Sequence, residues 1–208
     1  MNIDSWQDEH FEFELNELLL TVLLKYPQHT QTPPPGTDSA MRALIEHQVP
    51  NRVLEMLLRE HIRHFMVVGS VGKGAWSQVP WVAILDPRRT LAPSHGTYAV
   101  YLFAADGNAV YLTLNQGTGG LQRGVYMREH QLTRSKYLAA VPSPLNSFNK
   151  GPLATGALKS SDANRGRAYE QACIFWRRYA RQDLASISTA ELARDLTYVI
   201  TLYRSVAV

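Results

Sequence analysis

Residues Gly69 to Leu114 read GSVGKGAWSQVPWVAILDPRRTLAPSHGTYAVYLFAADGNAVYLTL, and here the hydrophobic pattern leaves the helical period. Phe65–Val68, Trp81–Leu85, Tyr98–Phe103 and Val110–Leu114 are short β-prone runs separated by turn formers. Asp86-Pro87 closes the second run. Asp106-Gly107 joins the last two as a hairpin, because glycine accepts positive φ without a steric penalty. In the third run Tyr98, Val100 and Leu102 share one face while Ala99, Tyr101 and Phe103 share the other. Both faces are apolar, so this strand is expected at the centre of a twisted sheet of about four or more strands, covered on both sides.

Helices flank the sheet on either side in sequence. Leu15, Leu18, Leu19, Val22 and Leu23 recur at helical spacing, predicting an amphipathic helix from about Phe11 to Lys25 that Pro27 and then Pro33-Pro34-Pro35-Gly36 stop. A second helix opens at Asp38 or Ser39. A third has Pro50 in its first turn and carries Val53, Leu54, Leu57 and Leu58. Beyond Gly117–Gly120, Tyr126, His130, Leu132 and Tyr137-Leu138 predict a helix ending near Pro142. Pro142–Gly156 reads as a long loop with room for one short strand. Two helices finish the chain: one from Ser161-Asp162 through Tyr169, Cys173, Trp176 and Tyr179, and one behind a capping box, Ser188-x-x-Glu191. The expected class is α+β, a central, mainly antiparallel sheet between N-terminal and C-terminal helices. It forms a single domain over 1–208, with a helical flank at 1–60 and a sheet-plus-helices body at 61–208.

The apolar share of 45% against 19% charged residues supports a real core and excludes wholesale disorder. A single cysteine, Cys173, makes no intramolecular disulfide and suits a reducing compartment. No apolar run approaches the roughly 20 residues of a membrane helix, and the opening MNIDSWQDEHFEFE is acidic where a signal peptide is basic. A cytoplasmic protein is expected. The net charge of +3 is unevenly placed: residues 1–60 hold 10 acids and 4 bases, residues 61–208 hold 8 acids and 17 bases. An acidic flank on a basic body permits a polyanionic partner, and reads equally as an ordinary basic surface.

The signatures of catalysis are missing. There is no Gly-x-x-x-x-Gly-Lys-Ser/Thr, no Gly-x-Ser-x-Gly elbow and no Cys-x-x-Cys. Gly72-Lys73-Gly74 lacks the spacing and hydroxyl of a phosphate loop. His61 and His64 stand three apart, as zinc ligands on a helix do, but Arg59 and Arg63 beside them point to a solvated face. Cys173 reads as a small apolar residue packed within its helix. The expectation is a protein that is not an enzyme and takes no cofactor or metal.

What remains is a set of rings and cations. A glycine-flanked loop carries Lys73, and Trp76 follows it. Pro80-Trp81 opens one strand with Arg88 and Arg89 just after it, and Gly96-Thr97-Tyr98 opens the next. Rings at strand mouths can stack on a planar ligand while arginine and lysine hold its phosphates; the same rings read as core or rim residues. Gly69-Ser70-x-Gly72-x-Gly74-x-Trp76-x-x-Val79-Pro80-Trp81-Val82-Ala83, then Gly96-x-Tyr98-x-Val100-Tyr101-Leu102-Phe103 and Val110–Gly117, resembles the MrcB-like N-terminal domain. This is the DNA-binding region of McrB-type proteins, the specificity subunits of methylcytosine-dependent restriction systems. The similarity resumes at Tyr169-Glu170 and from Asp195-Leu196 to Tyr203.

The resemblance implies recognition of modified cytosine, of the 5-methylcytosine type, in duplex DNA by base flipping. It assigns Trp81 and Tyr98 to a base pocket lined by Leu102. It brings the loop of Ser70, Gly72, Lys73 and Gly74 toward the vacated space in the duplex; an aromatic residue can stand in that loop where this chain has Lys73. Arg88, Arg89 and Arg123 are phosphate-contact candidates from charge and placement alone, with Arg165 and Arg167 behind them. The family's larger members fuse this domain to a GTP-hydrolysing motor, so a separate GTPase or nuclease restriction subunit is an expected partner. The competing expectation is a module that docks on a defence partner through its acidic helices and binds nucleic acid without specificity.

Overall fold

Strand pairing runs in simple sequence order. A computed structural model describes residues 13–30, 39–119, 123–140, 148–157 and 163–206, with side chains at 123–126 and 163–165 outside the description. Strands β1 (Met66–Ser70), β2 (Trp81–Leu85), β3 (Thr97–Phe103), β4 (Ala109–Gln116) and β5 (Cys173–Ala180) form one antiparallel sheet in the order β1-β2-β3-β4-β5. The four strands expected from sequence are all present. β3 is the central one, and every residue in it is buried.

One face of the sheet is structural. Val82, Ile84, Ala99, Tyr101, Phe103, Val110, Leu112, Leu114 and Phe175 pack into a single cluster with the helices α1 (Leu15–His29), α3 (Val49–Arg59) and α6 (Thr189–Ser205). α1 contributes Leu15, Leu18, Leu19, Val22, Leu23 and Tyr26, all buried. At about 1.5–3 kcal/mol for each buried side chain, the helix is worth on the order of 10 kcal/mol, as much as a whole domain's stability. The acidic flank is therefore part of the core.

Three local readings are corrected. α1 passes through Pro27 instead of stopping there. The proline lies in the last turn, where it removes one bond, and Thr30 Oγ1 donates to its carbonyl at 2.8 Å. The second and third helices are one run. α2 (Ala40–Ala43) starts at its N-cap Ser39 and passes through a π-helical turn, Leu44–Gln48, into α3. Widening the turn makes room for the Pro50 ring, which would otherwise meet the carbonyl four residues back. The same turn lies directly on β1, where a Cβ at Gly69 would stand 1.8 Å from the Ile45 carbonyl oxygen, so only glycine fits.

The third correction matters most. The helix expected to run from 161 through Tyr179 ends early, as α5 (Ala163–Ala172), and Cys173–Ala180 is strand β5. Tyr169, Cys173 and Trp176 carry helical spacing, but the open edge of β4 offers a ladder from Ala109 to Asn115, and tertiary pairing decides. α6 begins as the capping box predicts, with Ser188 Oγ accepting from the Glu191 amide at 3.2 Å. The Glu191 carboxylate, however, pairs with Arg177, which also reaches Asp195 at 2.6 Å. Tyr179 donates to the same Asp195 carboxylate at 2.7 Å. β5 is thereby clamped to α6.

α4 (Arg123–Ala140) follows β4. Within the expected loop, 142–147 lie outside the described residues, and Asn149 makes a short extended pairing with Trp176. The second face of the sheet is covered in part by α5 and by residues 151–157. Leu153, Ala157 and Tyr169 pack on it, and Thr155 is held by the Glu170 carboxylate at 2.7 and 2.9 Å.

Candidate nucleic-acid interface

The loop between β1 and β2 has a rigid stem and a bare tip. At the stem the Ser77 amide donates to the Val71 carbonyl at 2.7 Å. The Tyr26 hydroxyl reaches the Ser77 carbonyl at 2.6 Å from α1. Trp76 is buried with its ring edge-on to Tyr26 at 5.5 Å and beside His29 at 5.4 Å. Ser70 Oγ accepts the Gly72 amide at 3.2 Å. The tip is Gly72-Lys73-Gly74, with φ of 108° at Gly72 and 76° at Gly74. A Cβ on Gly72 would sit 2.3 Å from the Ala75 carbonyl oxygen, whereas around Gly74 there is open space to 4 Å. Lys73 is exposed on this tip. An anchored stem lets the tip approach a bulky ligand without the sheet giving way.

The strand register places the aromatic residues. Ser70, Trp81, Leu102, Tyr111 and Arg178 are successive cross-strand partners, one from each of the five strands, all on the second face. The loop of Ser70–Gly74 and the ring of Trp81 are thus brought together, with Leu102 directly opposite Trp81. The next rung on that face is Val68, Ala83, Val100, Thr113 and Trp176, and in a third Tyr98 faces Asn115. Tyr98 is on the right face but not at the same mouth. Antiparallel neighbours begin at opposite ends, so Tyr98 lies four residues, about 13 Å, from Leu102 along β3.

The nearer second ring is Tyr111. Strands about 4.8 Å apart set its backbone about 10 Å from that of Trp81, with Leu102 between. Tyr111 is backed by Trp176 edge-on at 5.6 Å, and the Trp176 indole donates to the Gly151 carbonyl at 3.1 Å. Trp81 is half-buried, Leu102 wholly buried and Tyr98 3% exposed. Tyr111 was legible from the hairpin, since a turn at Asp106-Gly107 pairs it with Leu102. Trp176 and Arg178 were hidden by the helical reading of their segment.

The arginines divide differently from the expectation. Arg88 and Arg89 follow β2, at the end of the sheet away from Lys73. Arg89 binds the carbonyls of Tyr203, Arg204 and Val206 at 2.7–2.9 Å, closing the C-terminus of α6. Arg88 grips the buried Asp86 carboxylate at 2.6 and 2.8 Å and holds its pKa below the ordinary aspartate value. Both have structural partners, and neither stands beside the loop. The side chains of Arg123 and Arg165 lie outside the described residues. Arg167 is exposed on α5, and Arg178 is exposed at the end of the Trp81 rung.

Burial pushes the Cys173 thiol up, away from the reactive thiolate. His61 and His64 are not on one helix face: both sit in left-handed conformations after α3, at φ of 56° and 69°. Among the described residues no group of three His, Cys, Asp or Glu side chains gathers to hold a metal ion. No helix among them is long and apolar enough to cross a membrane.

No curated protein matches the chain significantly. The family model described as MrcB-like, N-terminal domain matches residues 21–208, from the middle of α1 to the last residue. With that match over nearly its whole length, including the loop, the aromatic rung and the closing helix, the chain belongs to the MrcB-like N-terminal domain family.

Proposed function

We propose that the protein is a non-enzymatic specificity module that reads modified cytosine, of the 5-methylcytosine type, in duplex DNA. The target nucleotide turns out of the stack into a slot between Trp81 and Tyr111 over Leu102, with Tyr98 deeper on the same face. The observation that carries this reading is the single cross-strand rung joining the loop residue Ser70 to Trp81, Leu102 and Tyr111. Stacking of about 1–3 kcal/mol per ring offsets the few kcal/mol of unstacking. The loop tip enters the vacated space, where Lys73 meets a phosphate or a base edge. Arg178 and Arg167 take the phosphate-contact role expected of Arg88 and Arg89. The setting is a cytoplasmic McrBC-like defence system with a separate GTPase or nuclease subunit.

The test is a titration against matched duplexes carrying cytosine, 5-methylcytosine or 5-hydroxymethylcytosine at two salt concentrations. Affinity should fall steeply with salt, and Trp81→Ala should weaken modified duplex at least tenfold more than plain duplex. Equal losses on both would leave a basic surface and remove the slot. A 2-aminopurine beside the target would report extrusion.

A docking role for the acidic arm has one observation in its favour: Phe13 and Leu24 are 52% and 51% exposed on or just before α1. Truncation cannot test it, because α1 is core. If Phe13→Ser with Leu24→Ser abolished co-elution with a GTPase or nuclease subunit and left duplex affinity intact, docking would be the better account.

A further inference from the structure

The two margins of the partly covered face differ in charge. At one of them β1 reads Met66-Val67-Val68-Gly69-Ser70 and carries no ionisable side chain. Four strand spacings away, about 19 Å across the sheet, the β5 margin gathers three cations. Arg178 is exposed at the end of the Trp81 rung. Lys150 is exposed beside the next rung, because Asn149 pairs with the Trp176 backbone at 2.6 and 2.9 Å. The Arg134 guanidinium reaches over from α4 and donates to the Lys150 carbonyl. Burial raises the Cys173 thiol and the Arg134 charge opposes it, so this third cation stands by the first residue of β5.

These charges are not spent within the fold. Arg177, between Trp176 and Arg178, faces α6 and is taken by Glu191 and Asp195. Arg178, Lys150 and Arg134 make no ion pair among the described residues. Edge strands often carry lysine to deter a further strand, but here Asn149 already pairs with the edge at Trp176. From Arg178 back to Cys173 the strand runs five residues, about 16 Å, a length over which one strand of B-DNA passes about five phosphates.

We propose that the β5 margin is a one-sided backbone track. The duplex on one side of the everted nucleotide lays its phosphates along Arg178, Lys150 and Arg134, while the other flank crosses the uncharged β1 margin beside the Lys73 tip. The inference rests on the duplex-binding reading above and adds to it a direction, with Lys150 and Arg134 as further contacts. Phosphates carry no sequence, so the track holds plain and modified duplex alike and sets which way the protein lies on the DNA.

The experiment uses the whole chain and duplexes of one length, with 5-methylcytosine at the centre or displaced toward either end, and a plain centred duplex. Binding is read by anisotropy over a salt series. Displacing the target one way should cost the wild-type protein at least fivefold, and displacing it the other way less than twofold. Lys150→Gln with Arg134→Gln should flatten the slope of log affinity against log salt by about 2, at about 0.9 per phosphate. The same variant should equalise the two displaced duplexes and keep the ratio of modified to plain binding. Arg59→Gln with Arg194→Gln, an equal change of charge on α3 and α6, should leave the slope as it was. Lys150→Gln alone, expected to flatten it by about 1, serves if the double variant does not fold. Equal wild-type affinity for the two displaced duplexes, with the modified-to-plain ratio intact, overturns the track and keeps the slot. An unchanged slope in the Lys150 variants, or a loss shared by the Arg59 and Arg194 variant, also overturns it. A wild-type modified-to-plain ratio of one ends the slot, and the direction inferred here with it.

Discussion

The two faces of the sheet are built from the same five strands and do opposite things. One is covered by α1, α3 and α6 and closes into an aliphatic and aromatic core around Val82, Ile84, Leu112 and Leu114. The other carries small residues at its centre, Ala83 and Val100, with half-buried tryptophans at Trp81 and Trp176. Each face also has an orphaned polar atom, the Tyr101 hydroxyl on the first and Asn115 Oδ1 on the second. The contrast separates a face closed by three helices from one that α5 and the segment before it cover only in part. Apolar alternation along a strand says that both faces are dry. It does not say which one is filled by the chain itself.

The largest expected effect that tests this division is Leu112→Ala, from the centre of the helix-covered face. Chemical denaturation should register a loss of about 2–5 kcal/mol, and the folded fraction should keep the wild-type ratio of modified to plain duplex binding. Trp81→Ala should do the reverse, losing the ratio with a smaller change in denaturation midpoint. A substitution on either face that moved both readouts equally would break the division.

An intermediate effect lies at the end of the sheet away from the loop. Arg88 lowers the pKa of Asp86, so the pair's stabilisation is complete above the unfolded aspartate value of about 3.9 and is lost as pH falls through the lowered one. Asp86→Asn should flatten the acid limb of a stability-against-pH curve and leave duplex binding at neutral pH unchanged. If binding at neutral pH fell, that end of the sheet would belong to the interface after all. The smallest effect compares the two orphans. Tyr101→Phe removes a hydroxyl that bonds to nothing, so stability should stay within about 0.5 kcal/mol of wild type or rise slightly, with base discrimination untouched.

Four strands and the hairpin were legible because each run is bounded by residues with a turn mechanism, and Asp106-Gly107 fixes the register of Tyr111 against Leu102. The helices at either end were legible from period and caps, Pro50 in the first turn of α3 among them, though Pro27 was read as a stop where its place in the last turn of α1 tolerates it. β5 was not legible. Its residues satisfy both periods, and only the unpaired edge of β4, which no local window contains, selects the strand. That one ambiguity hid Trp176 and Arg178 on β5, whereas Trp81, Leu102 and the loop could be named from the sequence. Arg88 and Arg89 misled for a related reason, since charge in sequence does not reveal the carboxylate or carbonyls a guanidinium has already taken.

Tyr26 belongs to the first helix, yet its hydroxyl and ring grip the base of the Lys73 loop. Helix and loop consequently form one lever. A mechanical load applied to that helix reaches the loop through Tyr26 and through His29 beside Trp76, without crossing the sheet and with every strand still in register.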